Sequence, residues 1–220
     1  MVRAVVFDLW QTLVPWPGED SARLRHSWAD RLGVSLEQLD GHWYGDLDAY
    51  RRRESGPLAP ALTAMCDAFG SDVPVEELFA DRLAVTRRAL VLDPGVERTL
   101  RALRAGGYPI GLVSNCTEEV AIAWPESPLA PLVDHPIFSA TAGTLKPDAR
   151  IYELACEALS VEPAECLFVG DGANDELPGA AAVGMTAVLY AEGGVARWDG
   201  LDGWTGVRIT AIPDVLDLVP

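Results

Sequence analysis

The chain has 220 residues, of which 49% are hydrophobic, and its formal net charge is −16 at pH 7. This length suffices for one good core with a second, smaller subdomain beside it. The negative balance argues against nucleic acid or an anionic membrane as a partner, because both bind concentrated positive charge. No apolar run approaches the ~20 residues that span a bilayer, and no basic segment precedes an apolar one at the start, so a cytoplasmic location is expected.

The first predicted element is a buried β-strand. Residues 2–7 form an almost uninterrupted apolar run that is rich in β-branched side chains and too short for a helix. Strands that are buried on both faces of a parallel sheet have this pattern. The run stops at Asp8, which places a carboxylate at the carboxyl end of the strand, where open parallel sheets bind ligands. From this stretch alone, Asp8 is explained equally well as a cap of the next turn.

Four helical patterns follow without a strand between them. The second opens with a capping box of Ser35 and Gln38. Three arginines at 51–53 come after it, and we interpret them as solvated, with the alternative that one of them reaches an anionic substrate. We predict that residues 16–88 form an inserted, all-helical subdomain.

From Asp93 onward, helix and strand patterns alternate. Asp93 and Pro94 open a helix that ends before two glycines at 106–107. Such alternation is typical of βαβ units, and it predicts an α/β, Rossmann-like core with a parallel sheet, formed by residues 1–15 and 89–220. Further strands are predicted at 109–113, 137–138, 166–169, 185–189 and 207–209, and further helices at 149–159, at 176–183 and near the end of the chain.

Polar residues stand near the ends of three further predicted strands. Ser114 and Asn115 could hold an anionic oxygen together with main-chain N–H groups, although a helix cap is locally the commoner explanation. Lys146 stands just before a helix, where a lone lysine is usually a solvated charge. Asp171 and Asp175 stand in a glycine-containing loop, and paired acids of this kind suggest a hard cation such as Mg²⁺.

Taken in order, Asp8, Ser114, Lys146 and then Asp171 with Asp175 resemble the four motifs of the haloacid dehalogenase-like (HAD) hydrolase superfamily, across nearly the whole chain. The resemblance implies that Asp8 is a catalytic nucleophile that forms an aspartyl ester or aspartyl phosphate. It implies that Ser114 and the catalytic Lys146 bind phosphoryl oxygens and balance charge. Asp8, Asp171 and Asp175 would then hold Mg²⁺. The helical insertion matches the family's smaller cap, which closes over the active site and selects substrates.

The sequence departs from the family pattern beside the nucleophile. The family's phosphatases usually have a second aspartate two residues later, as general acid and base, where this chain has Trp10. An indole cannot transfer that proton. Gln11 stands where glycine is common, which puts the local turn in doubt. The 2-haloacid dehalogenase branch likewise lacks the second aspartate, because halide is a leaving group that needs no proton, and it carries an aromatic at the position of Trp10.

The loop with Asp171 and Asp175 favours the phosphatase instead. Gly170 and Asp171 followed by Asp175 resemble the metal-binding version of the last motif, whereas dehalogenases need no metal and commonly have Ser and Asn there. The leading hypothesis is therefore Mg²⁺-dependent hydrolysis of a small phosphate ester. The alternatives are a 2-haloacid dehalogenase-type C–X hydrolase, or a weakly active protein that binds a phosphorylated metabolite because Trp10 replaced the proton donor.

The expected partner is a small, phosphorylated molecule rather than nucleic acid or membrane. Trp10, Ser114, Asn115 and Lys146 are the predicted substrate-binding residues. No feature of the sequence names the substrate, and either a monomer or a homodimer is consistent with it.

Overall fold

Six strands form one parallel sheet in the structure, a computed structural model that describes residues 1–47, 50–201 and 203–220 completely. The strands are β1 (Ala4–Phe7), β2 (Ile110–Ser114), β3 (His135–Phe138), β4 (Cys166–Gly170), β5 (Thr186–Tyr190) and β6 (Val207–Ile209). Their order across the sheet is β3-β2-β1-β4-β5-β6. The α/β class and all six strands are confirmed, with strand ends within two residues of the prediction.

The first strand lies at the centre of the sheet. β1 is hydrogen-bonded to β2 on one side and to β4 on the other, and all four of its residues are fully buried. Val5 and Phe7 pack into the hydrophobic cluster on one face, while Ala4 and Val6 pack into the cluster on the other. The continuous apolar run thus reflects burial on both faces, as the sequence predicted.

Five helices, rather than the four predicted, lie between β1 and Asp93. The apolar faces of the first, second, fourth and fifth of these helices build a hydrophobic cluster of their own, which includes Trp28, Leu62 and Met65. The additional helix was missed because it is short and carries three arginines with no apolar stripe. The assignment of 16–88 to a cap subdomain stays a prediction. The helices are α1 (Gly18–Leu32), α2 (Leu36–Tyr44), α3 (Leu47–Glu54), α4 (Ala59–Phe69) and α5 (Val75–Ala89).

The remaining helices cover the sheet. They are α6 (Pro94–Ala105), α7 (Glu118–Ala123), α8 (Ser139–Ala142), α9 (Ala149–Leu159) and α10 (Glu176–Ala182). α6 and α7 pack on one face, and α9 and α10 pack on the other. α6 starts where the sequence predicts, because the Asp93 carboxylate accepts hydrogen bonds from the main-chain N–H groups of Gly95 and Val96. α7 and α8 were not predicted. Among the described residues, no helix has both the length and the apolar character to cross a membrane.

Candidate active site

Three carboxylates meet at the carboxyl edge of the sheet. Asp8 follows β1, Asp171 follows β4, and Glu176 is the first residue of α10. One oxygen of each lies within 4.8 Å of the others, and all three side chains are buried. The sequence predicts Asp8 and Asp171 as metal ligands but does not indicate Glu176. The third predicted ligand, Asp175, is exposed and lies outside this group, so its role as a metal ligand stays a prediction.

A buried lysine lies among these carboxylates. The side chain of Lys146 is 3% exposed, and its Nζ donates to Asp8 Oδ1 at 2.5 Å and to Glu176 Oε2 at 2.6 Å. The side chain of Asn115 holds the lysine's main chain from the end of β2. Its Nδ2 donates to the Lys146 oxygen at 2.9 Å, and its Oδ1 accepts from the Lys146 nitrogen at 2.7 Å. Lys146 is therefore not the solvated charge that its local sequence suggests.

Burial and the neighbouring charges shift the pKa values of Lys146, Glu176 and Asp171. Burial alone would lower the pKa of Lys146, but the carboxylates of Asp8 and Glu176 outweigh it and raise that pKa. Burial raises the pKa of Glu176, and the charges of Asp8 and Asp171 raise it further against the opposing effect of Lys146. Burial and Asp8 also raise the pKa of Asp171. When the three carboxylates and Lys146 are all ionised, the lysine neutralises one negative charge and two remain uncompensated.

This set of donors fits a divalent cation. Carboxylate oxygens are the hard ligands that Mg²⁺ prefers, and the uncompensated charge matches that of the ion. Asp171 Oδ1 accepts from the main-chain nitrogen of Ala173 at 3.0 Å, and its Oδ2 accepts from the indole nitrogen of Trp198 at 2.9 Å. Both oxygens are thereby oriented by the protein.

The last loop explains why Glu176 rather than Asp175 joins the group. Asp175 has a left-handed backbone with φ 54°, and the chain turns into α10 immediately after it. Glu176 Oε1 accepts from the main-chain nitrogen of Gly172 at 2.8 Å. Gly170 leaves the space for this carboxylate, because a Cβ there would lie 2.1 Å from Glu176 Oε1. The signal in the sequence was a carboxylate at the first position of the helix that follows a buried strand.

The turn after Asp8 orients the second carboxylate oxygen. Thr12 Oγ1 donates to Asp8 Oδ2 at 3.1 Å, and both residues are buried. Gln11 adopts φ 63°, the left-handed conformation that glycine takes without strain, so the turn forms with Gln in the position where glycine is common. Trp10 is partly buried and packs edge-on against Trp16, with ring centres 5.4 Å apart. The two indoles form an apolar wall.

A cavity of about 640 Å³ lies between the sheet edge and the inserted helices. Asp8, Trp10, Asn115, Lys146 and Asp171 line it from the sheet side. Ser114 is not among the residues that line it. This residue is fully buried, and its hydroxyl contacts the main-chain oxygen of Asn115 at 3.5 Å and the side chain of Cys116. From the inserted helices the cavity is lined by, among others, Trp28, Trp43, Tyr50, Arg53, Glu54 and Arg82.

A parallel α/β sheet with a buried aspartate–lysine–carboxylate centre under inserted helices defines an α/β protein with a covered, charged site at the carboxyl edge of its sheet. A family model described as haloacid dehalogenase-like hydrolase matches residues 2–184, and the chain belongs to this family.

Relatives that are named dehalogenases and relatives that are named phosphatases both match most of the chain. An (S)-2-haloacid dehalogenase 4A of Burkholderia cepacia is 31% identical over 85% of this chain and 82% of its own length. A phosphatase of Mycobacterium tuberculosis is 30% identical over 91% of this chain and 92% of its own length. The structure of a 2-haloacid dehalogenase from Pseudomonas syringae has a TM-score of 0.77 at 24% identity, covering 99% of this chain and 98% of that one, and shows the shared fold.

Proposed function

We propose that the protein hydrolyses a small phosphate ester in the presence of Mg²⁺, with Asp8 as the nucleophile. The observation that carries the proposal is the third buried carboxylate, Glu176, which completes a group with Asp8 and Asp171. A C–X hydrolase that needs no metal gains nothing from three buried acids, whose mutual repulsion is costly. Asp8, Asp171 and Glu176 would hold Mg²⁺, and the bound ion would screen the negative phosphate from these carboxylates.

Asp8, Thr12 and Lys146 would each have a separate role in the reaction. The Asp8 carboxylate attacks phosphorus, a P–O bond forms, and the ester P–O bond breaks with its electrons on the leaving oxygen. Thr12 and Lys146 fix the two oxygens of Asp8, and Lys146 offers an ammonium to the phosphoryl oxygens. Water then hydrolyses the aspartyl phosphate, which releases phosphate and restores the Asp8 carboxylate. Both steps keep the reacting group at the edge of the sheet, beside Trp10.

The leaving oxygen needs a proton that Trp10 cannot give. General acid help is typically worth ~10²–10⁴ in rate, so aryl and acyl phosphates should be turned over much faster than alkyl phosphates unless the cap or the substrate supplies the proton. Trp10→Asp should raise the alkyl rate, once folding of the variant has been verified.

A 2-haloacid dehalogenase reaction is the second candidate. The observation in its favour is the indole of Trp10 on the cavity wall, since a halide leaves without a proton. The dehalogenase relatives, which match at about the same identity as the phosphatase, agree with this candidate. In that reaction the Asp8 carboxylate would attack the carbon that bears the halogen, so that a C–O ester bond forms while the C–X bond breaks and halide leaves. Water would then hydrolyse the ester, and Mg²⁺ would have no role.

One experiment separates the candidates. The purified protein is assayed on aryl, acyl and alkyl phosphates and on 2-haloacids, each with millimolar Mg²⁺ and with EDTA. We expect phosphate release that EDTA abolishes, and a loss of at least ~10³ in kcat for Asp8→Asn. Glu176→Gln should lose ~10² or more in activity, whereas the neighbouring exposed Asp175→Asn should lose less than about tenfold. Halide release that is indifferent to EDTA would overturn the proposal.

A further inference from the structure

A buried arginine faces the cavity from the inserted helices. Arg53 lies in the last turn of α3, lines the cavity, and has a side chain that is only 4% exposed. Its Nη1 donates to the main-chain oxygen of Trp43 at 2.8 Å, and its guanidinium carbon lies 4.4 Å from the centre of the Trp43 ring. Its Nε is buried and has no hydrogen-bond partner among the described residues. The carboxylate of Glu54 lies 3.7 Å from this nitrogen, which is beyond hydrogen-bonding distance.

Arg53 lies farther from any carboxylate oxygen than the other cations of the cavity. The Nε of Arg25 is also buried without a hydrogen-bond partner in the described chain, but the Nη1 of Arg25 donates to both carboxylate oxygens of Asp40, at 3.0 and 2.9 Å. Arg82, for example, donates to Glu119 Oε1 at 2.7 Å and to the hydroxyl of Thr117 at 2.7 Å. The nitrogen atoms of the other three cations also lie within 3.4 Å of a carboxylate oxygen. Lys146 pairs with Asp8, Arg25 with Asp40, and Arg197 with Glu192. In the described part of the chain, Arg53 is therefore the cavity cation whose charge is least compensated. A buried charge of this kind is costly to the fold unless a ligand pairs with it.

We propose that Arg53 anchors a subsite that binds a carboxylate group of the substrate, on the helical side of the cavity that Asp8 lines from the sheet side. This inference rests on the proposed function: the substrate would be a phosphate ester that also carries a carboxylate. The free Nε donor and the planar guanidinium suit a carboxylate. The rings of Trp43 and Tyr50, 4.4 and 5.4 Å from the guanidinium carbon, exclude water from this end and strengthen the ionic contact.

The local charge favours a monoanion over a second phosphate. One guanidinium offers one positive charge, and the Glu54 carboxyl beside it would repel a dianion. Burial raises the pKa of Glu54 to about 7, against the opposing effects of Arg53 and Arg82. Near neutral pH this carboxyl therefore balances only part of the charge of Arg53, and the remainder is available to a ligand.

The test compares matched substrates. Phosphate esters of short ω-hydroxy acids are assayed with Mg²⁺ beside the esters of the corresponding ω-hydroxy amides, which have the same size but no charge. We expect the wild-type protein to prefer the best acid over its amide by about 10- to 100-fold in kcat/KM, mainly through KM, as for one charge-assisted hydrogen bond. Arg53→Met should remove the preference, so that acid and amide esters are hydrolysed with equal kcat/KM. Arg52→Met, an exposed neighbour on the same helix, should keep the preference.

Each outcome bears on the subsite separately from the reaction. Equal rates for acid and amide in the wild-type protein, or a preference that survives Arg53→Met, would overturn the subsite while leaving the phosphatase intact. The wild-type comparison decides the matter even if Arg53→Met does not fold. If no phosphate ester is hydrolysed, the proposed function fails instead. The same acid and amide esters are then titrated into the Asp8→Asn protein by calorimetry, and equal or absent binding of both overturns the subsite.

Discussion

Replacing Lys146 with Met should destabilise the fold strongly, and Mg²⁺ should reverse part of the loss. The ammonium of Lys146 is the cation that contacts both Asp8 and Glu176, at 2.5 and 2.6 Å, with Asp171 in the same buried group. Removing one partner of a buried ion pair costs ~3–5 kcal/mol, because the remaining charge stays buried and unpaired. At ~2–4 °C per kcal/mol for a chain of this size, the melting temperature should fall by roughly 6–20 °C.

Thermal melts at pH 8 in EDTA measure this loss. The loss should shrink as the pH falls toward 5, because protonated carboxyls need no cation. Saturating Mg²⁺, at about a hundred times its Kd, should restore ~2.7 kcal/mol. Asp8→Asn in the Lys146→Met background should also recover stability, since it removes one of the repelling charges. A loss below ~1 kcal/mol at pH 8, or a Lys146→Met protein that neither Mg²⁺ nor Asp8→Asn stabilises, would refute this account of the site.

Three further predictions follow from single contacts. A carboxyl whose pKa is higher in the folded than in the unfolded state destabilises the fold as it ionises. Burial raises the pKa of Glu54 from 4.5 to about 7. In urea titrations, Glu54→Gln should therefore match the wild type in stability at pH 4.5 and exceed it by up to ~3 kcal/mol at pH 8. Gly170→Ala places a Cβ 2.1 Å from Glu176 Oε1, so it should displace that carboxylate and cost ~1–3 kcal/mol of stability. The variant should be expressed at the wild-type level but have a kcat at least tenfold lower. Thr12→Val should lower kcat by ~10- to 100-fold through the lost hydrogen bond to Asp8, whereas Thr12→Ser should stay within a few-fold; equal kcat for both variants would contradict it.

The sequence by itself determined the sheet and the position of the nucleophile candidate. The apolar run at 2–7 predicted a strand buried on both faces, and the alternation after Asp93 predicted the parallel sheet, because both patterns record local burial. The end of that strand fixed Asp8 at the carboxyl edge, where the structure also places Asp171. These features depend on residues that are neighbours in the chain or on the direction of a strand.

Only the tertiary structure decided which charges meet. Lys146 reaches Asp8 across 138 residues of chain, and its local sequence is that of a solvated lysine. Glu176 rather than Asp175 enters the site, because the left-handed backbone of Asn174 and Asp175 and the absence of a side chain at Gly170 decide which carboxylate turns inward. The burial of Arg53 among three consecutive arginines likewise depends on how α3 packs against the rest of the cavity. Periodicity records which face of an element is apolar, whereas the partner of a charge depends on the packing of elements that are distant in the chain.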